Sequence, residues 1–204
     1  MVAIKICGIT RLEDARACVE LGVEWLGLNF WRGSKRRCDP LEARRIVDAL
    51  DTQVRIVGVF VDASVEEMRR TLQQTGVHMA QLHGDESPGT LEAMLPHAFK
   101  ALRATGPEVL EQAARYGGGD LLLDAHVPGV VGGTGTTCDW DLAATLARMR
   151  LLTLAGGLTP DNVREAIQHV RPIRVDTASG VESAPGRKDW ARLEAFVSAV
   201  RGAT

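Results

Sequence analysis

The chain has 204 residues, 45% hydrophobic and 25% charged, with 24 Lys and Arg against 26 Asp and Glu. A formal net charge of -2 excludes the basic excess that a nucleic-acid footprint or a polybasic membrane anchor requires. The apolar runs are too short to span a membrane, and Cys7, Cys18, Cys38 and Cys138 form no C-x-x-C pair, which fits a reduced, cytoplasmic compartment.

From the first residues onward, a short apolar run is followed by a helix-like segment, again and again. Strands are predicted at 2–7, 25–30, 54–61, 78–83, 98–103, 120–124, 151–155 and 173–176. Helices are predicted at 12–21, 40–50, 64–75, 88–95, 106–116, 140–149, 160–169 and 188–200. Thr10 and Asp14 mark the start of the first helix, Ser64 with Glu67 that of the third, and Thr159-Pro160 that of the seventh. Gly22 and Gly76 stand where a helix C-terminus favours glycine.

Eight such units leave about 25 residues each, the tight end of the range for a (β/α)8 barrel. A doubly wound sheet of five or six strands shares the alternation. Three features favour the barrel: the count, the absence of G-x-G-x-x-G after the first strand, and the lack of a segment for a second domain. The expectation is an α/β, single-domain (β/α)8 barrel over residues 1–204.

Chemistry in a barrel sits at the C-terminal ends of the strands. Strand alternation turns Ile4 and Ile6 toward the helices, and Lys5 and Cys7 into the barrel with Cys7 at the rim. A buried cysteine is commonly an inert small hydrophobe, but an ammonium beneath it stabilises a thiolate; Lys5 in turn could simply be neutralised by a core carboxylate. Asp124 closes the sixth strand and faces the mouth, either as a loop cap or as a general acid against an apolar wall. Glycines follow the late strands at Gly132-Gly133-Thr134-Gly135, at Gly156-Gly157 and at Ser179-Gly180. They are either turns or a backbone cradle for phosphate, to which a short helix after the eighth strand would add its dipole. The basic cluster Ser34-Lys35-Arg36-Arg37 is either a solvated surface or a grip for a carboxylate. His83, Arg103 and Asp176 also end strands at the mouth. The histidines show neither H-x-H nor H-E-x-x-H, so no metal is expected.

Taken in order, KICGIT (5–10), SKRR (34–37), GVFV (58–61), QLHG (81–84), LLLD (121–124), GGTG (132–135), DW (139–140), AGGL (155–158) and DTASGVE (176–182) resemble phosphoribosylanthranilate isomerase, along essentially the whole chain. The resemblance implies a step of tryptophan biosynthesis, the Amadori rearrangement of N-(5-phosphoribosyl)anthranilate, an aminoaldose, to the 1-deoxyribulose aminoketose phosphate. By the same resemblance the general base falls on Cys7, the general acid on Asp124 and the carboxylate-binding arginine on Arg36. Phosphate binding falls on Gly133, Thr134, Gly135, Gly156, Gly157, Ala178, Ser179 and Gly180, with Lys5, His83 and Asp176 as supporting mouth residues. No cofactor is implied, since the substrate nitrogen is the electron sink, and the partner is a small phosphorylated substrate bound by a monomer or homodimer. Arg37 stands where the family usually has an aromatic, which leaves Arg36 and Arg37 as alternative carboxylate ligands, and Ala178 replaces a serine. A Lys5-promoted Cys7 thiolate and a protonated Asp124 would give a bell-shaped pH profile, with Cys7 on its acidic limb. The alternatives are a histidine-pathway barrel isomerase, against which Cys7 and Arg103 stand at the ends of strands one and five where that class has paired aspartates, and a non-catalytic phosphate-binding barrel.

Overall fold

The computed structural model describes residues 1–50, 54–104, 106–124 and 140–203. Its first half runs β1 (Ala3–Cys7), α1 (Leu12–Glu20), β2 (Trp25–Asn29), α2 (Pro40–Leu50), β3 (Arg55–Phe60), α3 (Val65–Thr75), β4 (Met79–Leu82) and α4 (Pro88–Glu92). The second half runs β5 (Ala98–Arg103), α5 (Val109–Arg115), β6 (Asp120–Asp124), α6 (Trp140–Met149), β7 (Leu151–Ala155), α7 (Val163–Val170), β8 (Arg174–Thr177), a short hairpin of β9 (Glu182–Ala184) with β10 (Arg187–Lys188), and α8 (Trp190–Arg201). The strands β1 to β8 pair in sequence order and close into a barrel, as the alternation predicts. All eight pairings are parallel, and β1 closes on β8 with Lys5 opposite Asp176. The doubly wound alternative is excluded by this closure.

Two apolar shells follow from the two faces of each strand. Ile4, Ile6, Leu28, Leu121 and Leu123 are buried against the helices, where each contributes about 1.5–3 kcal/mol. Val57, Phe99, Ala101, Leu122 and Ala155 fill the barrel interior. Below them Arg174 stacks 3.7 Å over the Trp25 ring and donates to Thr153 Oγ1 at 2.8 Å, so polar groups plug the bottom of the barrel. Among the described residues no helix is long and apolar enough to cross a membrane.

The helix signals hold in part. Ser64 accepts from the Glu67 amide, and Gly76 ends α3 in the left-handed region at φ 74°. By contrast, α1 is preceded by Arg11 without a side-chain cap. Thr10 and Asp14 are occupied elsewhere: Thr10 Oγ1 donates to Gly186 O, and Asp14 accepts from Arg11, Lys188 N and Trp190 Nε1. The seventh helix begins at Val163, because Asn162 Oδ1 accepts the Thr159 amide and holds 159–162 in a turn. The expected helix at 188–200 begins only after Asp189, whose carboxylate accepts the Arg192 amide.

Candidate active site

Along β1 the interior face carries Lys5 and then Cys7. Lys5 is wholly buried and its Nζ lies 2.8 Å from Asp176 Oδ2, so the core-carboxylate reading of this lysine holds. Asp176 Oδ1 is buried without a protein partner among the described residues. Burial works against the charge of Lys5, but Asp176 and Cys7 outweigh it and Lys5 holds its proton more tightly than a free lysine.

This pairing alters what Lys5 can do for Cys7. The Cys7 thiol ionises above its ordinary value: burial is the largest cause, and the Asp176 carboxylate adds to it, against the opposing Lys5 and Lys188 charges. The expectation of a Lys5-promoted thiolate is therefore corrected for the resting protein. Lys5 is present where it was expected and acts on the sulfur in the expected direction, but burial outweighs it and the Asp176 carboxylate opposes it. Cys18 and Cys38, both buried, are pushed up to about 12, with burial as the largest cause.

Gly27 on β2 faces the same two side chains. A Cβ there would lie 2.8 Å from Cys7 Sγ and 3.2 Å from Lys5 Nζ, so glycine makes the space in which the thiol sits. The sequence does signal this residue, since an isolated glycine in the apolar run WLGLN marks a close approach.

Across the mouth, Asp124 ends β6 with Arg103 and Ala155 as its strand neighbours. His83, just beyond β4, places Nε2 3.6 Å from Asp124 Oδ2, and both side chains reach solvent. The Gln81 amide nitrogen lies 2.8 Å from His83 Nδ1. With Gln81 donating, a neutral ring carries its proton on Nε2, facing Asp124.

The Arg36 side chain lies over Gly8, whose φ of 75° and missing Cβ make room, since a Cβ would meet Arg36 Cδ at 2.6 Å. Its Nε and Nη2 donate to Glu182 at 2.9 and 2.7 Å. Arg37 instead lines an outer groove with Phe30, Trp31 and Arg70, beside α3. Of the two alternatives left by the sequence, the structure brings Arg36, not Arg37, beside the cysteine.

The loops after β7 and β8 meet. Thr177 Oγ1 donates to Leu158 O at 2.7 Å, and a Cβ on Gly180 would run into the same carbonyl oxygen. Gly180 thus serves the packing of the two loops, while Gly156 and Gly157 adopt φ of 98° and 67°. Gly157 faces open space. After Ala178, where the sequence allows a short helix, the residues Ser179–Val181 form one 3-10 turn. Gly133, Thr134 and Gly135 lie outside the described residues. The described residues contain no group of three His, Cys, Asp or Glu able to hold a metal ion. Sequence reasoning missed Glu182 and Lys188, which lie on the β9–β10 hairpin against Arg36 and Cys7.

The family model for N-(5'-phosphoribosyl)anthranilate isomerase matches residues 4–199. A relative of that name from Geobacter sulfurreducens is 44% identical over 202 residues, 99% of this chain and 100% of its own. The crystal structure of phosphoribosyl anthranilate isomerase from Thermotoga maritima superimposes with a TM-score of 0.90 at 38% identity, covering 99% of this chain and 100% of that one. A further phosphoribosyl anthranilate isomerase structure, in complex with reduced 1-(o-carboxyphenylamino)-1-deoxyribulose 5-phosphate, matches at TM-score 0.88 and 36% identity, covering 99% and 100% of the two chains. The chain belongs to the N-(5'-phosphoribosyl)anthranilate isomerase family.

Proposed function

We infer that this chain carries out the family's aldose–ketose isomerisation in tryptophan biosynthesis, with Cys7 as general base and Asp124 as general acid. The observation that supports these roles is that one barrel rim presents a thiol at the end of β1 and a carboxyl at the end of β6, both on inward-facing positions.

Asp124 gives a proton to the furanose ring oxygen as the C1–O bond breaks, and the anilino nitrogen supplies the electron pair that forms a C1=N iminium. That cation acidifies the C2 proton. Cys7 as thiolate takes this proton, and the electron pair of the C2–H bond forms the enolamine C1=C2 while the nitrogen recovers its own pair. Ketonisation then adds a proton at C1 and releases the enol proton, so the reaction is proton-neutral. Each positioned transfer contributes about 10²–10⁴ in rate.

The raised thiol has a place in this sequence. A resting thiol resists oxidation and alkylation, and the iminium formed in the first step brings positive charge beside the sulfur when the thiolate is required. Arg36 grips the anthranilate carboxylate, and the loops at 156–157 and 178–180 offer backbone to the phosphate.

Purified protein with freshly made phosphoribosylanthranilate tests the reading, by loss of anthranilate-type fluorescence. Turnover by the wild-type protein and its collapse in Cys7→Ser and Asp124→Asn are expected. Normal turnover in either variant removes that residue from its role.

A further inference from the structure

Away from the reacting atoms, the hairpin after β8 carries a buried ion pair, and Lys100 with Glu86 beside β4 and β5 forms another. Lys188 on β10 has its side chain fully buried. Its Nζ donates to Cys7 O at 2.6 Å, to Ala178 O at 3.2 Å and to Glu182 Oε1 at 3.0 Å. Glu182, also buried, accepts Gly186 N at 3.3 Å and takes Arg36 through Nε and Nη2. The backbone of the residue bearing the thiol, the loop after β8 and the guanidinium therefore all converge on one ammonium and one carboxylate.

The way Glu182 holds Arg36 is informative. A guanidinium has five N–H donors. Glu182 engages the side formed by Nε and Nη2, so among the described residues both Nη1 donors and the second Nη2 donor stay available. They form the end-on fork that a planar carboxylate can take bidentately. A buried ion pair is no evidence of added stability by itself, because desolvation offsets its attraction. What singles out this pair is the set of groups that it joins.

We propose that Lys188 and Glu182 are a positioning pair for the isomerisation: Lys188 fixes the backbone at Cys7 and Ala178, and Glu182 turns the free fork of Arg36 to the substrate carboxylate. The spacing between base, phosphate and carboxylate is thereby set by one hairpin. The inference rests on the reading of Arg36 and of the 178–180 loop given above. Neither residue touches the reacting atoms.

The test is a double-variant cycle in the turnover assay, with affinity for inorganic phosphate measured alongside. Glu182→Gln keeps the shape but loses the charge, and KM is expected to rise about 10-fold with kcat within about 2-fold. In the Arg36→Ala background the same change is expected to add nothing, because its route of action is gone. Lys188→Met is expected to weaken inorganic phosphate by about 10-fold, and Lys188→Arg to restore part of it. An unchanged KM in Glu182→Gln, or an equal loss with and without Arg36, overturns the proposal. Should Lys188→Met fail to fold, the Glu182→Gln cycle decides alone. If Arg36→Ala itself keeps the wild-type KM, the reading of Arg36 has failed, and the phosphate affinities of Lys188→Met and Lys188→Arg decide the role of the hairpin.

Discussion

The two sides of the barrel mouth treat charge differently. On the β1–β8 side Lys5 with Asp176 and Lys188 with Glu182 are dry, and each pair is in direct contact. On the β4–β6 side Lys100 with Glu86 is dry as well, but at the rim His83 and Asp124 stand 3.6 Å apart and both reach solvent. Dry, locked charges cost desolvation and hold geometry. Wet, loosely paired groups can exchange protons and respond to a ligand. The base thus sits among fixed charges, and the acid sits where the substrate can change its surroundings.

The largest effects test whether the two sides carry the two proton transfers. Cys7→Ser is expected to lower kcat by about 10²–10⁴ with KM little changed, and Asp124→Asn by a similar factor while a product analogue still binds. Steady-state kinetics with a binding titration reads both. If only one variant loses activity, the division of labour between the sides is wrong.

The next effect tests the dryness itself. Lys5→Met leaves Asp176 buried without its cation, and breaking such a pair costs about 3–5 kcal/mol of stability. Equilibrium urea unfolding measures it. A loss below about 1 kcal/mol, as for a surface pair, would show that water reaches Asp176 and that the two sides are alike.

Recognition comes third. Arg36→Ala is expected to lose about 1.5–3 kcal/mol of carboxylate contact, roughly 10–150-fold in kcat/KM, much of it in KM. Arg37→Ala is expected to change little, since Arg37 lines the outer groove. The reverse ranking would move the carboxylate site to that groove.

The smallest effect is a pH dependence of stability. Burial pushes the Glu182 carboxyl up, but Arg36 and Lys188 together hold it below its ordinary value. A carboxyl depressed in the folded state contributes stability that is present above its unfolded pKa and lost as pH falls through the folded one. The difference in unfolding free energy between wild type and Glu182→Gln is therefore expected to shrink as pH drops below the usual carboxylate range. A difference independent of pH there would mean that Glu182 is unpaired in solution.

The barrel was legible because short apolar runs alternate with helix-like segments, and the structure moves each barrel strand end by a residue at most. Rim residues were legible too, as alternation alone turns Lys5, Cys7 and Asp124 inward. Their partners were not. Lys5 and Asp176 are 171 residues apart, and Lys188 and Cys7 are 181 apart, so the balance of charge at the thiol depends on closure that no local pattern reports. The β9–β10 hairpin escaped because ESA and RK are two short polar strands without alternation. Asn162 replaced Thr159 as the organiser of α7 because a side chain can bond backward to a preceding amide.

The central claim is that Cys7 rests as a thiol and acts as the base. Burial is the largest cause that raises this thiol above its ordinary value, so the thiolate is the minor form at neutral pH in the resting protein. The direct measurement is the pH dependence of Cys7 alkylation, with residual turnover read alongside, in a variant in which Cys18 and Cys38 are replaced by alanine and Cys138 by serine. The account predicts that Cys7 alkylates through an ionisation above the ordinary thiol pKa of about 8.5 and that turnover is lost in proportion. A Cys7 that alkylates fully at neutral pH, or turnover that survives its alkylation, would contradict it.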